Sequence, residues 1–121
     1  MAFLGVDLVV IRVRDLEAAA RFYEERFGVP VGPGVMESSR TLRLAGGPHV
    51  DLAEGPSGAG DGVDLRMVVD DLDAAHARFL EAGVAVVHPP TRMPGGAREM
   101  AAADLDGHVW RFTEPQRPRG S

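Results

Sequence analysis

Residues 6–29 read VDLVVIRVRDLEAAARFYEERFGV, and residues 63–84 read VDLRMVVDDLDAAHARFLEAGV. Both stretches open on Val-Asp-Leu and pass through a β-branched run. Both then reach Asp-Leu-acid-Ala-Ala and Arg-Phe, and both close on Gly-Val. With one small gap the two align along their whole length, which makes the chain a duplication of one supersecondary unit. The physical reading is the same in each copy. Asp7–Val13 and Asp64–Val69 carry the Val, Ile and Leu of buried strands. Asp15 and Asp71 stand where a helix begins, with carboxylates able to accept from the free N–H groups of its first turn. Glu17 and Asp73 add negative charge at the positive helix end. Leu16, Ala19, Ala20, Tyr23 and Phe27 form one apolar stripe, and Leu72, Ala75, Phe79 and Leu80 form its counterpart. Gly28 and Gly83 are placed to end the helices in the left-handed conformation.

Each predicted helix is followed by three strand candidates. These are Val29–Val31, Thr41–Leu44 and His49–Ala53 in the first copy, and Val84–His88, Glu99–Ala103 and Val109–Thr113 in the second, separated by Gly- and Pro-bearing turns. The expected architecture is α+β: two βαβββ modules, residues 5–54 and 63–114, whose mixed sheets curl around a pocket. Residues 55–62 form a Gly-rich linker, residues 1–114 a single domain, and residues 115–121 a flexible tail. Thr91–Gly96 reads as a connector, with a lid over the pocket as the alternative.

The 121 residues suffice for a real core. With 13 basic against 18 acidic residues the net charge is −5. That balance supplies no basic face for nucleic acid and no polybasic membrane patch. There is no cysteine, so disulfides and thiolate sites are excluded. No apolar run approaches the roughly 20 residues of a membrane span. Met1-Ala2-Phe3-Leu4 lacks the basic start of a signal peptide, and a cytoplasmic location is the expectation.

Strand alternation sorts the site candidates. Val9, Ile11, Val13, Val50, Leu52, Leu65, Met67, Val69, Trp110 and Phe112 share the parity expected beneath the helices. The opposite parity holds Leu8, Val10, Arg12, His49, Asp51, Asp64, Arg66, Val68, Val109, Arg111 and Thr113, a mixed polar set facing the expected pocket. Trp110 and Tyr23 are expected in the core rather than stacked on a ligand. His76 and His108 are expected at the surface.

The run from Leu8 through Asp15-Leu16-Glu17 to Phe22-Tyr23 and Phe27-Gly28 resembles the opening of vicinal-oxygen-chelate proteins, the glyoxalase, bleomycin-resistance and dioxygenase family. So do Val69-Asp70-Asp71-Leu72-Asp73 with Glu81-Ala82-Gly83, and the closing Asp104-Leu105-Asp106-Gly107-His108-Val109-Trp110-Arg111-Phe112, where Leu105 replaces the usual Pro. The resemblance implies one divalent metal, a pocket and a homodimer. By position it carries the metal ligands onto Leu8, Asp51, Asp64 and Arg111. Leu has no lone pair and Arg only donates, so no metal and no cofactor are expected. Arg111 is then read as a substitute for the cation, paired with Asp51, Asp64 or both. That network either orients a ligand or is purely internal. The expected ligand-binding residues are Leu8, Val10, Arg12, His49, Asp51, Asp64, Arg66, Val109 and Arg111. The function expected is metal-free binding of a small molecule, such as sequestration of an antibiotic. The alternatives are an enzyme (lyase, isomerase or dioxygenase) without metal or with a displaced one, and a structural or regulatory domain. In the enzyme reading Asp51 or Asp64 acts as general base and Arg111 holds an oxyanion.

Overall fold

The computed structural model describes residues 1–4, 8–34, 36–56 and 65–115. Asp64, most of the linker and the tail beyond residue 115 lie outside these. The chain divides into two compact units, Met1–Ser57 and Gly58–Ser121.

In the first unit β1 (Leu8–Val13) leads into α1 (Leu16–Arg21), which continues as a π-helical segment, Phe22–Phe27. The strands β2 (Val31–Pro33), β3 (Ser39–Leu42) and β4 (His49–Glu54) follow. The sheet order is β1-β4-β3-β2, with β1 parallel to β4 and the remaining pairs antiparallel. The second unit repeats this plan with β5 (Leu65–Val68), α2 (Leu72–Ala82), β6 (Ala85–Arg92), β7 (Arg98–Ala103) and β8 (Val109–Thr113). Its order is β5-β8-β7-β6, with the corresponding parallel and antiparallel pairs. The duplication read from the sequence is therefore a duplication of topology.

Local chemistry explains the helix starts. Asp15 accepts from the Ala18 N–H at 3.1 Å and Asp71 from the Ala74 N–H at 3.0 Å. A second acceptor comes from far along the chain: Glu54 takes the Leu16 N–H at 3.1 Å and Glu114 the Leu72 N–H at 2.7 Å. Gly28 (φ 86°) and Gly83 (φ 74°) end the helical segments in the left-handed region, as expected.

The π-helical segment was not foreseen. At the α-helical ~100° per residue, Phe22 and Phe27 would lie about 140° apart. The wider winding brings both inward with Tyr23, all three rings buried and edge-on at centroid separations of 5.1–6.3 Å. The helices cover one face of each sheet. Ile11, Val13, Val50, Leu52, Met67, Trp110 and Phe112 are buried there, while Val9, Leu65 and Val69 are half-buried. Tyr23 and Trp110 are core residues. Leu80, expected on the inner stripe of α2, is 60 % exposed, because Leu72 and Phe79 already fill the stripe.

Several strand boundaries move. The Val29 N–H is taken by the Tyr23 carbonyl at the helix end, so β2 starts at Val31 rather than Val29. Strand β3 begins at Ser39, two residues before the expected start. Strand β6 continues to Arg92, and the Met93 N–H bonds the Ala97 carbonyl to close a hairpin turn. Thr91 and Arg92 are thus strand residues, not loop.

Candidate functional site

The face of the first sheet turned away from α1 gathers five of the expected residues. Leu8 lies opposite His49, Val10 opposite Asp51, and Arg12 opposite Ala53, with Thr41 and Ser39 next to them on β3. Leu8, Arg12 and His49 are exposed and Val10 half-buried. Asp51 is 1 % exposed. The Ser39 hydroxyl, itself buried, lies 3.1 Å from an Asp51 oxygen and accepts from the Met36 N–H at 3.1 Å. A buried carboxylate needs such donors, since losing them costs several kcal/mol. Ser39 carries no signal in the sequence, because its role depends on β3 starting two residues early.

The corresponding face of the second sheet holds Arg66 opposite Arg111, Val68 opposite Thr113, and Val109 at the end of β8. Arg66 and Val109 are exposed. Arg111 is half-buried, with its Nε enclosed. Across β7 the same face presents Glu99, Ala101 and Ala103, and across β6 it presents His88 and Thr91. Glu99 is 8 % exposed. Neither Glu99 nor His88 was singled out from the sequence, although strand alternation puts Glu99 in step with Ala101 and hence with Arg111. Asp64 lies outside the described residues.

His108 departs from expectation. Its side chain is only 13 % exposed, and Nδ1 lies 2.8 Å from Asp104. The same carboxylate accepts from the backbone N–H groups of Asp106 and His108 at 3.0 and 2.8 Å. Asp104 thereby organises the turn into β8, and His108 is folded over it rather than left at the surface. His76 is half-buried on α2.

Two clefts among the described residues lie elsewhere. One, of about 500 Å³, runs between α1 and the β2 edge, where Glu17 and Arg40 pair at 2.7 Å. The other, of about 420 Å³, lies by the β6–β7 turn, where Arg98 pairs with Glu114. These two ion pairs neutralise part of the charged linings.

At the positions where this fold implies a divalent cation, the side chains do not fit one. Leu8 has no donor atom and Arg111 has only N–H donors. Asp51 offers one carboxylate, an oxygen of which lies 3.1 Å from the Ser39 hydroxyl. Among the described residues, no three His, Asp or Glu side chains gather as a metal site requires.

Two repeated units, each a helix on a four-stranded mixed sheet in the order first-fourth-third-second, define the vicinal-oxygen-chelate class of fold. The chain belongs to the Glyoxalase/Bleomycin resistance protein/Dioxygenase superfamily, whose family model matches residues 5–112. No curated protein matches it. Among solved structures it is similar to TnmS3, an antibiotic binding protein from Streptomyces sp. CB03234, with 32% identity, TM-score 0.76, and 96% of this chain and 99% of that one covered. It is also similar to a superfamily member from Sphaerobacter thermophilus DSM 20745 (25% identity, TM-score 0.76, 93% and 98% covered). A third is TioX from Micromonospora sp. ML1 (25% identity, TM-score 0.68, 91% and 98% covered). No helix among the described residues is long and apolar enough to cross a membrane.

Proposed function

We propose that this protein binds a small organic molecule without chemistry, as an antibiotic-sequestering member of its superfamily. The observation that carries the reading is the full-length likeness to the antibiotic-binding TnmS3. The donor set supports it: leucine and arginine stand where a catalytic cation would need lone pairs. The sheet faces turned away from the helices mix Leu8, Val10 and Val109 with Arg12, His49, Asp51, Arg66 and Arg111. Apolar area with a few fixed polar groups is the usual make-up of a small-molecule site. Asp64 joins this set by its place in the repeat. A homodimer belongs to the same proposal and is read directly from the mass in light scattering.

The test is a thermal-shift screen of the purified protein against planar and peptidic antibiotics, followed by calorimetry on any hit. A ligand that raises Tm by several degrees and is recovered unchanged supports the reading. Turnover of the ligand, or a flat screen, defeats it. Arg111→Leu then assigns the arginine. Weakened binding with little change in Tm gives it a ligand-facing role. Normal binding with a lowered Tm gives it a structural one.

A further inference from the structure

His88 and Glu99 form an unexplained pair on the far face of the second sheet. The strand β6 loses register on both sides of His88, between Val86 and His88 and again between His88 and Thr91. Such irregularities re-aim side chains, and Pro89-Pro90 makes this one a fixed feature of the edge strand. The result is that His88 sits opposite Ala101 with its Nε2 3.8 Å from the Glu99 Oε1. Glu99 has a side chain only 10 % exposed, a costly place for a carboxylate without a donor.

The hydrogen atoms around the pair can be assigned. His88 Nδ1 lies 3.1 Å from the Pro89 carbonyl oxygen. A carbonyl only accepts, so Nδ1 carries a proton, and a ring with no second proton presents a lone pair at Nε2. The flanking hydroxyls are spent: Thr91 donates to the Pro89 carbonyl at 2.7 Å, and Thr113, opposite Glu99, donates to the Arg98 carbonyl at 3.0 Å. In that singly protonated form two acceptors converge, and among the described residues the flanking threonine hydroxyls give no proton between them. Their separation exceeds a direct N–H···O bond of roughly 2.7–3.2 Å. A single donor atom placed between them would serve both.

We propose that His88 and Glu99 are a hydrogen-bond-accepting clamp for a hydroxyl or amino group of the bound small molecule. The inference rests on the small-molecule reading above and adds the chemical class of the ligand: a largely apolar body with one O–H or N–H donor. A metal ion is a poorer occupant, since no third ligand of the His, Asp or Glu type joins the pair among the described residues.

The experiment compares 2-naphthol with 2-methoxynaphthalene, two fluorescent probes in which a methyl group replaces that donor hydrogen, and with naphthalene, which lacks the oxygen, as the steric control. Wild-type protein should bind the naphthol about tenfold tighter than the ether, the scale of one desolvated hydrogen bond. Glu99→Gln keeps the size of the side chain and turns an amide donor toward His88. His88→Leu acts on a half-exposed ring, so the fold should tolerate it. Either change should bring the two probes within about twofold of each other while leaving ether binding intact. Nitrogen-15 shifts of the His88 ring at pH 7 should show a protonated Nδ1 and a bare Nε2. Equal binding of both probes by the wild type overturns the clamp but leaves the binding function standing, and so does failure of both probes when the antibiotic screen gives a hit. A doubly protonated His88 ring overturns it too, by showing a closed ion pair. Stoichiometric Zn²⁺ binding that both substitutions abolish reassigns the pair to a metal.

Discussion

Asp104 shows how much one carboxylate can organise. It accepts from two backbone N–H groups and holds the His108 ring, all within five residues. Gly107, at φ 88°, completes the turn that its contacts define. Each hydrogen bond to a charged acceptor contributes about 1.5–3 kcal/mol, and removing the acceptor also strands its donors. Asp104→Ala should therefore cost about 3 kcal/mol or more. Urea unfolding measures this, and a loss under about 1 kcal/mol would show that water replaces the carboxylate freely. Asp73 lies at the other extreme. The Arg98 guanidinium binds it through two bonds of 3.2 and 3.0 Å, and this holds its carboxyl below the usual value of 3.8. A depressed carboxylate stabilises the fold above its unfolded pKa and loses that contribution as pH falls through the folded one. The stability gap between wild type and Asp73→Asn should thus be present at pH 7 and shrink below about pH 4. Asp73 is 71 % exposed, so the gap should be small and should fade in 1 M salt. A gap that grows on acidification would refute the pairing.

The elements divide into those whose causes are local and those whose causes are distant. Helix starts at Asp15 and Asp71 and helix ends at Gly28 and Gly83 are legible in the sequence, because cap and capped group lie within a few residues. The second caps, Glu54 and Glu114, stand 38 and 42 residues from the N–H groups they accept, and no local pattern announces them. They occupy equivalent places in the two copies, each at or just past the last strand, so duplication preserved them without leaving a motif. The π-helical segment was hidden for another reason. A stripe drawn at 3.6 residues per turn excludes Phe22, whereas the packing of three rings selects the wider winding. The bulge in β6 likewise follows from Pro89 and Pro90 on an edge strand, which alternation alone treats as regular. The two distant caps give an unequal pair of predictions. Glu54→Ala should cost about 1 kcal/mol, as a lost N-cap does. Glu114→Ala should cost more, because the same oxygen also accepts from Arg98 at 3.2 Å. Thermal melts of the two variants in one buffer compare them directly, and equal losses would mean that the Arg98 bond contributes nothing.

For the whole molecule, the duplicated topology and its family were readable because two copies cross-check each other. The site was readable only in part. Alternation grouped Leu8, Val10, Arg12, His49 and Asp51 on one face and Arg66, Val109 and Arg111 on another, as the strand registers do. It passed over Ser39, His88 and Glu99, whose roles depend on where strands start and slip. A fold whose relatives include dioxygenases invites a metal, and the side chains at the implied positions decide the matter by their lone pairs. Asp51 is the one described oxygen donor there, and a single carboxylate already bonded to Ser39 holds a divalent ion weakly. The protein expressed in medium supplemented with zinc, nickel, manganese and iron, then desalted, should therefore carry well under one equivalent of any of them by elemental analysis. Chelator treatment should leave Tm unchanged. Arg111→His supplies the sharper comparison: it replaces a fixed cation with a lone pair beside the strand that carries Arg66. If that substitution creates zinc-dependent thermal stabilisation where the wild type has none, the arginine is what keeps the position free of metal. A wild-type protein that already holds a stoichiometric ion, lost on Asp51→Asn, would return the chain to its catalytic relatives.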